Sequence, residues 1–244
     1  DDLSSPSRKL CDVFWHNLPW NDLSKIFGGK IKSVEIGCGR GRYGKILEKL
    51  IDNFSYLGCD VKSYPEWKLR SNKNITFKSL NSDNVLDVIN NKNFLFTQSA
   101  VEHFKNDYLF FKNIQDYVNK SSKPFLQIHL LPSSFCLWKY LMHGYRQYST
   151  NKISKLYQSL WKKENFIAIA LGGKKSNYIH LNYITIPMVL GKVDKRKKVE
   201  KKYKIESENA IKEDLKIFNP KSASFYALII FSNLELSKNI LKKF

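Results

Sequence analysis

Along the chain, short apolar runs of strand length alternate with stretches whose apolar residues return at the 3.6-residue helical period. The first run, Ile31 to Ile36, predicts a buried strand. Tyr43, Ile46, Leu47, Leu50 and Ile51 then mark one face of a helix. The same rhythm predicts strands over 55–60, 74–78, 94–97, 124–130, 166–171 and 224–231. Ahead of the first strand, Cys11, Phe14, Trp15, Leu18, Trp20, Leu23 and Ile26 read as a helical preface from Leu10 to Phe27, stopping at Gly28-Gly29. Trp15 and Trp20 either pack on the sheet or cover the mouth of a ligand cleft. After the strand at 94–97, Asp107 caps a helix with Phe110, Ile114, Tyr117 and Val118 inward. Trp138, Leu141, Met142 and Tyr145 suggest a short helix, and Ile153, Leu156, Tyr157, Leu160 and Trp161 another. Strands alternating with helices predict an α/β fold: a mostly parallel sheet with helices on both faces.

Composition narrows this picture. A chain of 244 residues buries one well-formed core, and 43% hydrophobic with 14% aromatic residues excludes a disordered chain. Cys11, Cys38, Cys59 and Cys136 make no C-x-x-C pair and no zinc spacing, so reduced thiols, no metal and a cytoplasmic location are expected. No apolar run reaches the length of a membrane span. The chain opens on Asp1 rather than methionine, so residues upstream are expected. Lys and Arg number 41 against 22 acids, a net +19 that points to an anionic partner: a phosphorylated small molecule or glycan, a nucleic acid or, weakly, an anionic membrane surface. A lysine- and asparagine-rich composition, of the kind an AT-rich genome produces, accounts for the excess equally well. The run Lys195-Arg196-Lys197-Lys198 reads as a solvated segment, and Gly172-Gly173-Lys174-Lys175-Ser176 as a plain loop without P-loop spacing.

The chemistry centres on the end of the first strand. Glu35-Ile36-Gly37-Cys38-Gly39-Arg40-Gly41 places three glycines on alternate positions before a helix start. Such a turn lets backbone approach a nucleotide and offers unpaired N–H groups. Gly39, Gly41 and Gly44 fit the dinucleotide fingerprint G-x-G-x-x-G, which keeps a nicotinamide oxidoreductase open. The second strand ends at Asp60, about twenty residues on, where a carboxylate accepts hydrogen bonds from ribose hydroxyls; the alternative for Asp60 is a helix cap.

With Glu35 two residues ahead of Gly37, the turn resembles motif I, E-x-G-x-G-x-G, of the class I S-adenosylmethionine (SAM) methyltransferases. Gln98-Ser99-Ala100-Val101-Glu102-His103, after the fourth strand, resembles the leucine–glutamate–histidine segment of their small-molecule group. With Asp60 the resemblance covers roughly residues 31 to 130. It implies a Rossmann-like seven-stranded sheet with an antiparallel edge strand, SAM as cofactor and S-adenosylhomocysteine (SAH) as product. The implied cofactor residues are Glu35, Gly37, Cys38, Gly39, Gly41, Asp60, Val61 against the adenine, Leu80 (through its N–H) or Asn81 at the adenine amino group, and Gln98 and Ser99 at the methionine end. The implied organisation is a preface at 1–30, a SAM-binding half at 31–131, an acceptor-side half at 132–223 with a basic insertion at 172–223, and a final strand and tail at 224–244.

Candidate general bases are His103 and His129, each near a strand's C-terminal end, where open α/β sheets hold ligands. His143, Tyr145 and Arg146 lie where the family often places substrate-binding elements, and Arg146 can clamp a phosphate or carboxylate. The segment 132–148 loosely resembles methyltransferases of bacterial surface polysaccharides. The expected reaction is therefore O-methylation of a sugar or phosphorylated small molecule, in capsule-type biosynthesis, phosphoramidate groups included. An RNA methyltransferase or nucleic-acid-binding protein on the same scaffold is the alternative; no RNA-binding module or aromatic RNP-type motif accompanies it.

Overall fold

The structure, a computed structural model, describes residues 3–135, 145–191, 193–217, 219–234 and 243. Seven strands form one sheet: β1 (Ile31–Ile36), β2 (Phe54–Asp60), β3 (Ile75–Ser79), β4 (Phe94–Gln98), β5 (Phe125–Pro132), β6 (Asn165–Leu171) and β7 (Phe225–Ser232), in the order β3-β2-β1-β4-β5-β7-β6. β7 runs antiparallel to both β5 and β6, one place in from the edge, and the other pairs are parallel. The helices are α1 (Pro6–Asn17), α2 (Trp20–Ile26), α3 (Arg42–Leu50), α4 (Glu66–Arg70), α5 (Leu86–Ile89), α6 (Asp107–Asn119), α7 (Thr150–Leu156), α8 (Lys174–His180), α9 (Ile186–Gly191) and α10 (Glu200–Asp214).

The period-two alternation of the strands divides the core into two layers. Phe94, Phe96 and Ile128 face Trp15, Trp20 and Leu23 of the N-terminal helices. Leu95 and Val34 face Phe110, Phe111 and Ile114 of α6, together with Trp161. Trp15 is fully buried and stacks near Trp20, whose indole N–H donates to the Trp15 carbonyl at 2.9 Å. Core packing is thus the role of both indoles.

Four local expectations change. The preface is two helices, because Pro19 has no N–H with which to continue α1. The cap of α6 is Asn106, whose side chain accepts from Leu109 N–H at 3.0 Å; Asp107 instead accepts from the Tyr148 hydroxyl at 2.7 Å and pairs with Lys152. Lys174-Lys175-Ser176 opens α8 rather than a loop. The Asp214 carboxylate accepts from Lys175 N–H, Ser176 N–H and the Ser176 hydroxyl, so an internal anion already fills that helix start. The basic insertion is helical and packed: Tyr203 is fully buried, its hydroxyl donating to the Ser4 carbonyl at 2.7 Å. The short helix expected around 138–145 lies largely outside the described residues. None of the described helices is long and apolar enough to cross a membrane.

Candidate active site

The glycine turn leaves β1 at Gly37 and is stitched to β2. Gly37 and Cys38 N–H donate to the Cys59 carbonyl at 2.8 and 2.9 Å, and Gly39 N–H donates to Asp60 Oδ2 at 2.8 Å. Gly37 has φ +77°, and a Cβ there would lie 2.3 Å from that of Ala100, so the turn packs directly against the segment after β4. From outside, the Trp67 indole stacks on Phe77 and donates to the Gly39 carbonyl at 2.8 Å. This arrangement walls a cavity of about 500 Å³. Gly37, Gly39, Asp60, Val61, Leu80, Asn81, Ser99, His103 and Tyr145 line it.

A second chamber of about 740 Å³ lies on the other side of Ser99, which lines both. Ser99 has φ +50°, a conformation that L-residues rarely adopt. The chamber's walls come from α1 (Ser7, Arg8, Cys11), α3 (Arg42, Tyr43), the ends of β4 and β5 (Gln98, Pro132), Glu102, Gln147, His180, and Arg196 and Lys197 of the insertion. Two of its four cations are neutralised: Arg42 grips Asp12 bidentately at 2.7 and 2.6 Å, and Arg196 is paired with Asp194. Arg8 and Lys197 pair with no carboxylate among the described residues. Burial pushes the Cys11 thiol up to about 12, so it is no nucleophile at neutral pH.

The sequence-derived candidates separate accordingly. Gly37, Gly39, Asp60, Val61, Asn81 and Ser99 come together at the first cavity. Leu80 lines it only with its side chain, since its N–H donates to the Asp60 carbonyl at 2.8 Å in the β2–β3 ladder. An acid missed by sequence reasoning, Asp83, lines the cavity beside Asn81. Glu35 lies beneath the turn, fully buried, accepting from the Tyr56 hydroxyl; burial pushes its carboxyl up to about 8, against that hydrogen bond. Cys38 and Gly41 line neither cavity; the Cys38 carbonyl accepts from Gly41 N–H at 2.9 Å, and Gly41 packs against Phe77. Gln98 belongs to the second chamber, its side-chain oxygen accepting from the Trp15 indole at 3.0 Å.

Three acceptor-side expectations fail on geometry. His129 is fully buried between β4 and α6: Nδ1 lies 3.0 Å from Thr97 Oγ1, and Phe110 and Phe111 cover the ring edge-on. Burial lowers its pKa to about 3, so it is a neutral core residue. Arg146 holds the backbone carbonyls of Val101, Phe104 and Lys105, which fixes the turn carrying Glu102 and His103 and leaves no fork for a substrate. Tyr145 is 74% exposed at the rim of the first cavity, not the second. His103 also lines the first cavity, its side chain 44% exposed. His143 lies outside the described residues.

Glu102, Ser7, Arg8, His180, Arg196 and Lys197 were not singled out by sequence reasoning as site residues. Glu102 carried a signal as the middle residue of the Val101-Glu102-His103 segment, and Arg196 and Lys197 stood in the basic run read as a solvated segment.

No family model matches the chain, and none of the curated proteins does. Solved structures match over most of its length. The plantazolicin methyltransferase BamL, solved with a triazolic desmethylPZN analog and SAH, is 14% identical with a TM-score of 0.58, over 94% of this chain and 86% of that one. A SAM-dependent methyltransferase from Archaeoglobus fulgidus is 16% identical with a TM-score of 0.55, over 93% and 95%. The methyltransferase domain of bacterial CtHen1-CN is 12% identical with a TM-score of 0.50, over 87% and 96%. With the strand order and the antiparallel β7, these establish the Rossmann-like fold of the class I SAM-dependent methyltransferases.

Proposed function

We propose that the protein is a SAM-dependent methyltransferase whose acceptor is a sugar or phosphorylated small molecule, methylated on oxygen. Biosynthesis of a surface polysaccharide is the setting we infer. The observation that carries the reading is the pair of cavities meeting at Ser99, one at the glycine turn and Asp60, the other bearing Arg8 and Lys197, which pair with no carboxylate among the described residues. An all-parallel dinucleotide sheet has no counterpart of β7, which argues against the nicotinamide alternative.

Gly37, Gly39, Asp60, Val61, Asn81, Asp83 and Ser99 are the residues that would hold SAM, whose sulfonium supplies an electrophilic methyl group. Asp60 would accept from the ribose hydroxyls, and Asp83, beside Asn81, would accept from the adenine amino group. The remaining work of the chain is orientation and exclusion of water: two reactants held in line gain most of what such a displacement needs. Calorimetry with SAH against NADH tests the cofactor. Mass spectrometry of nucleotide-linked sugars, sugar phosphates and glycans after incubation with SAM tests the acceptor. Binding of NADH in preference to SAH, or methylation confined to RNA, refutes the reading.

A further inference from the structure

Glu102 combines three properties that no other titratable side chain of the chamber shares. Its side chain is 1% exposed, it lines the second chamber, and its Oε2 has no hydrogen-bond partner among the described residues. A buried carboxylate oxygen without a donor is costly, and such groups persist where something outside the chain completes them. Among the described residues of the same chamber, Gln147 Oε1 and the Ser7 hydroxyl are buried without a partner as well. The Ser7 hydroxyl can donate or accept, but the carboxylate and carbonyl oxygens only accept, so a ligand that completes both carries a donor: a hydroxyl or an amine. The chamber's charge decides between them. With Arg42 and Arg196 matched by Asp12 and Asp194, the surplus belongs to Arg8 and Lys197, which repel a free ammonium and attract an anion.

We propose that Glu102 is the general base of the transfer, and that the chamber takes an acceptor with a hydroxyl at Glu102 and a phosphate or similar anion at Arg8 and Lys197. This rests on the methyltransferase reading above. The position suits it, because Glu102 follows Ser99, the junction of the two cavities, by one short turn. Among the described histidines none competes: His129 is sealed in the core, His103 lines the other cavity, His180 Nδ1 faces Thr185 Oγ1 at 3.2 Å, and His16 lines neither cavity. In the step, the acceptor O–H proton passes to the Glu102 carboxylate while the oxygen's electron pair forms the new O–CH₃ bond. The methyl–sulfur bond breaks with its pair left on sulfur, turning sulfonium into neutral thioether. Burial pushes the Glu102 carboxyl up to about 7, where a base is both ionised and basic enough at neutral pH. Among the described residues, the titratable and charged groups around it are His103 and Tyr148 beside it, Arg146 on the Val101 carbonyl of the same turn, and Arg8, Cys11, Arg42, Tyr43, His180, Arg196 and Lys197 of the chamber.

The test has two arms. Pyrophosphate is titrated calorimetrically into the protein without cofactor. Binding on the order of 1 mM is expected, weakened at least about tenfold in the double variant R8A/K197A and not weakened in Glu102→Gln. Turnover is then measured with SAM and a panel of sugar phosphates beside the matching neutral sugars. Sugar phosphates should react in preference, and Glu102→Gln should lose about 10²–10⁴ in kcat at unchanged SAH affinity. The acid limb of the kcat profile, with an apparent pKa near 7, should vanish in that variant, and Glu102→Asp should restore part of the rate. Equal pyrophosphate binding by the double variant, preference for neutral sugars, no methylation of any panel member by protein that binds SAH, or a Glu102→Gln rate within about threefold of the parent each overturns the proposal. Failure to bind SAH overturns the methyltransferase reading instead, and the pyrophosphate arm still decides the anion site.

Discussion

Asp60→Asn separates the two duties assigned to one carboxylate. Oδ2 accepts from Gly39 N–H at 2.8 Å and thereby holds the glycine turn; Oδ1 accepts from Lys62 N–H at 3.3 Å and faces the cavity where a ribose would sit. Asparagine keeps one oxygen. Turned toward Gly39, it preserves the turn and presents an NH₂ group to the ribose, replacing an acceptor with a donor. A hydrogen bond to a charged acceptor contributes about 1.5–3 kcal/mol, so the dissociation constant for SAH should rise about 10- to 150-fold. Asp60→Ala should lose more, since Gly39 N–H is then left without its partner. Calorimetry with SAH reads the loss, and the 2′,3′-dideoxy analogue of SAH supplies the control: it has no hydroxyl to lose and should bind parent and Asp60→Asn alike. Unchanged SAH affinity, or an equal loss for SAH and the analogue, refutes the ribose assignment.

Gly37→Ala and Gly39→Ala should behave differently. The first drives a Cβ to 2.3 Å from Ala100 and should prevent stable folding, while the second meets open space and should cost about 1–2 kcal/mol from its φ of +51° yet weaken SAH binding, as thermal melts and calorimetry will show. Glu35→Gln should flatten the pH dependence of stability. A folded pKa of about 8 against 4.5 means the native state binds the proton more tightly, so the parent loses stability as pH rises through that window, and the variant's relative Tm should climb from pH 5 to pH 8. His129→Ala should leave SAH affinity intact while lowering the Tm, because it opens a cavity between Thr97 and Phe111; lost SAH affinity without lost stability would return His129 to the site. Arg146→Ala should cost about 1–3 kcal/mol and weaken SAH binding through the loosened turn, with Arg146→Lys restoring little because one ammonium cannot span three carbonyls; an unchanged Tm contradicts that role.

The sheet was readable from the sequence because its strands are apolar runs whose alternating residues face two covered layers, as Phe94, Leu95 and Phe96 do. The cavity at the glycine turn was readable because its parts are local: a turn must have its glycines within a few residues, and Asp60 pairs with the neighbouring strand. The misreadings came where two residues compete for one backbone role. Asn106 and Asp107 both suit an N-cap, and only the pull of Tyr148 and Lys152 on Asp107 decides between them. Of the two candidates for the adenine amino group, the Leu80 N–H is already used by the register of β3 against β2, which leaves Asn81.

The second chamber is another matter, because nothing local builds it. Ser7 and Arg8 meet Glu102, Gln147 and Lys197 only after α1 has docked between the sheet and the insertion, and the insertion is itself anchored by Tyr203 to Ser4 and by Arg196 to Leu3. A histidine at a strand end is a fair base in any open α/β sheet, yet the strand's alternation turned His129 into the α6 layer, with Ile128 in the opposite one. The charge count misleads in the same way. A net +19 describes the whole surface, whereas what selects a ligand is the charge left after internal pairing. In this chamber Asp12 and Asp194 remove two of the four cations, and the residue that would act as base under the reading above is acidic. A basic composition therefore coexists with a chamber in which two cations are matched internally and one carboxylate, Glu102, is buried.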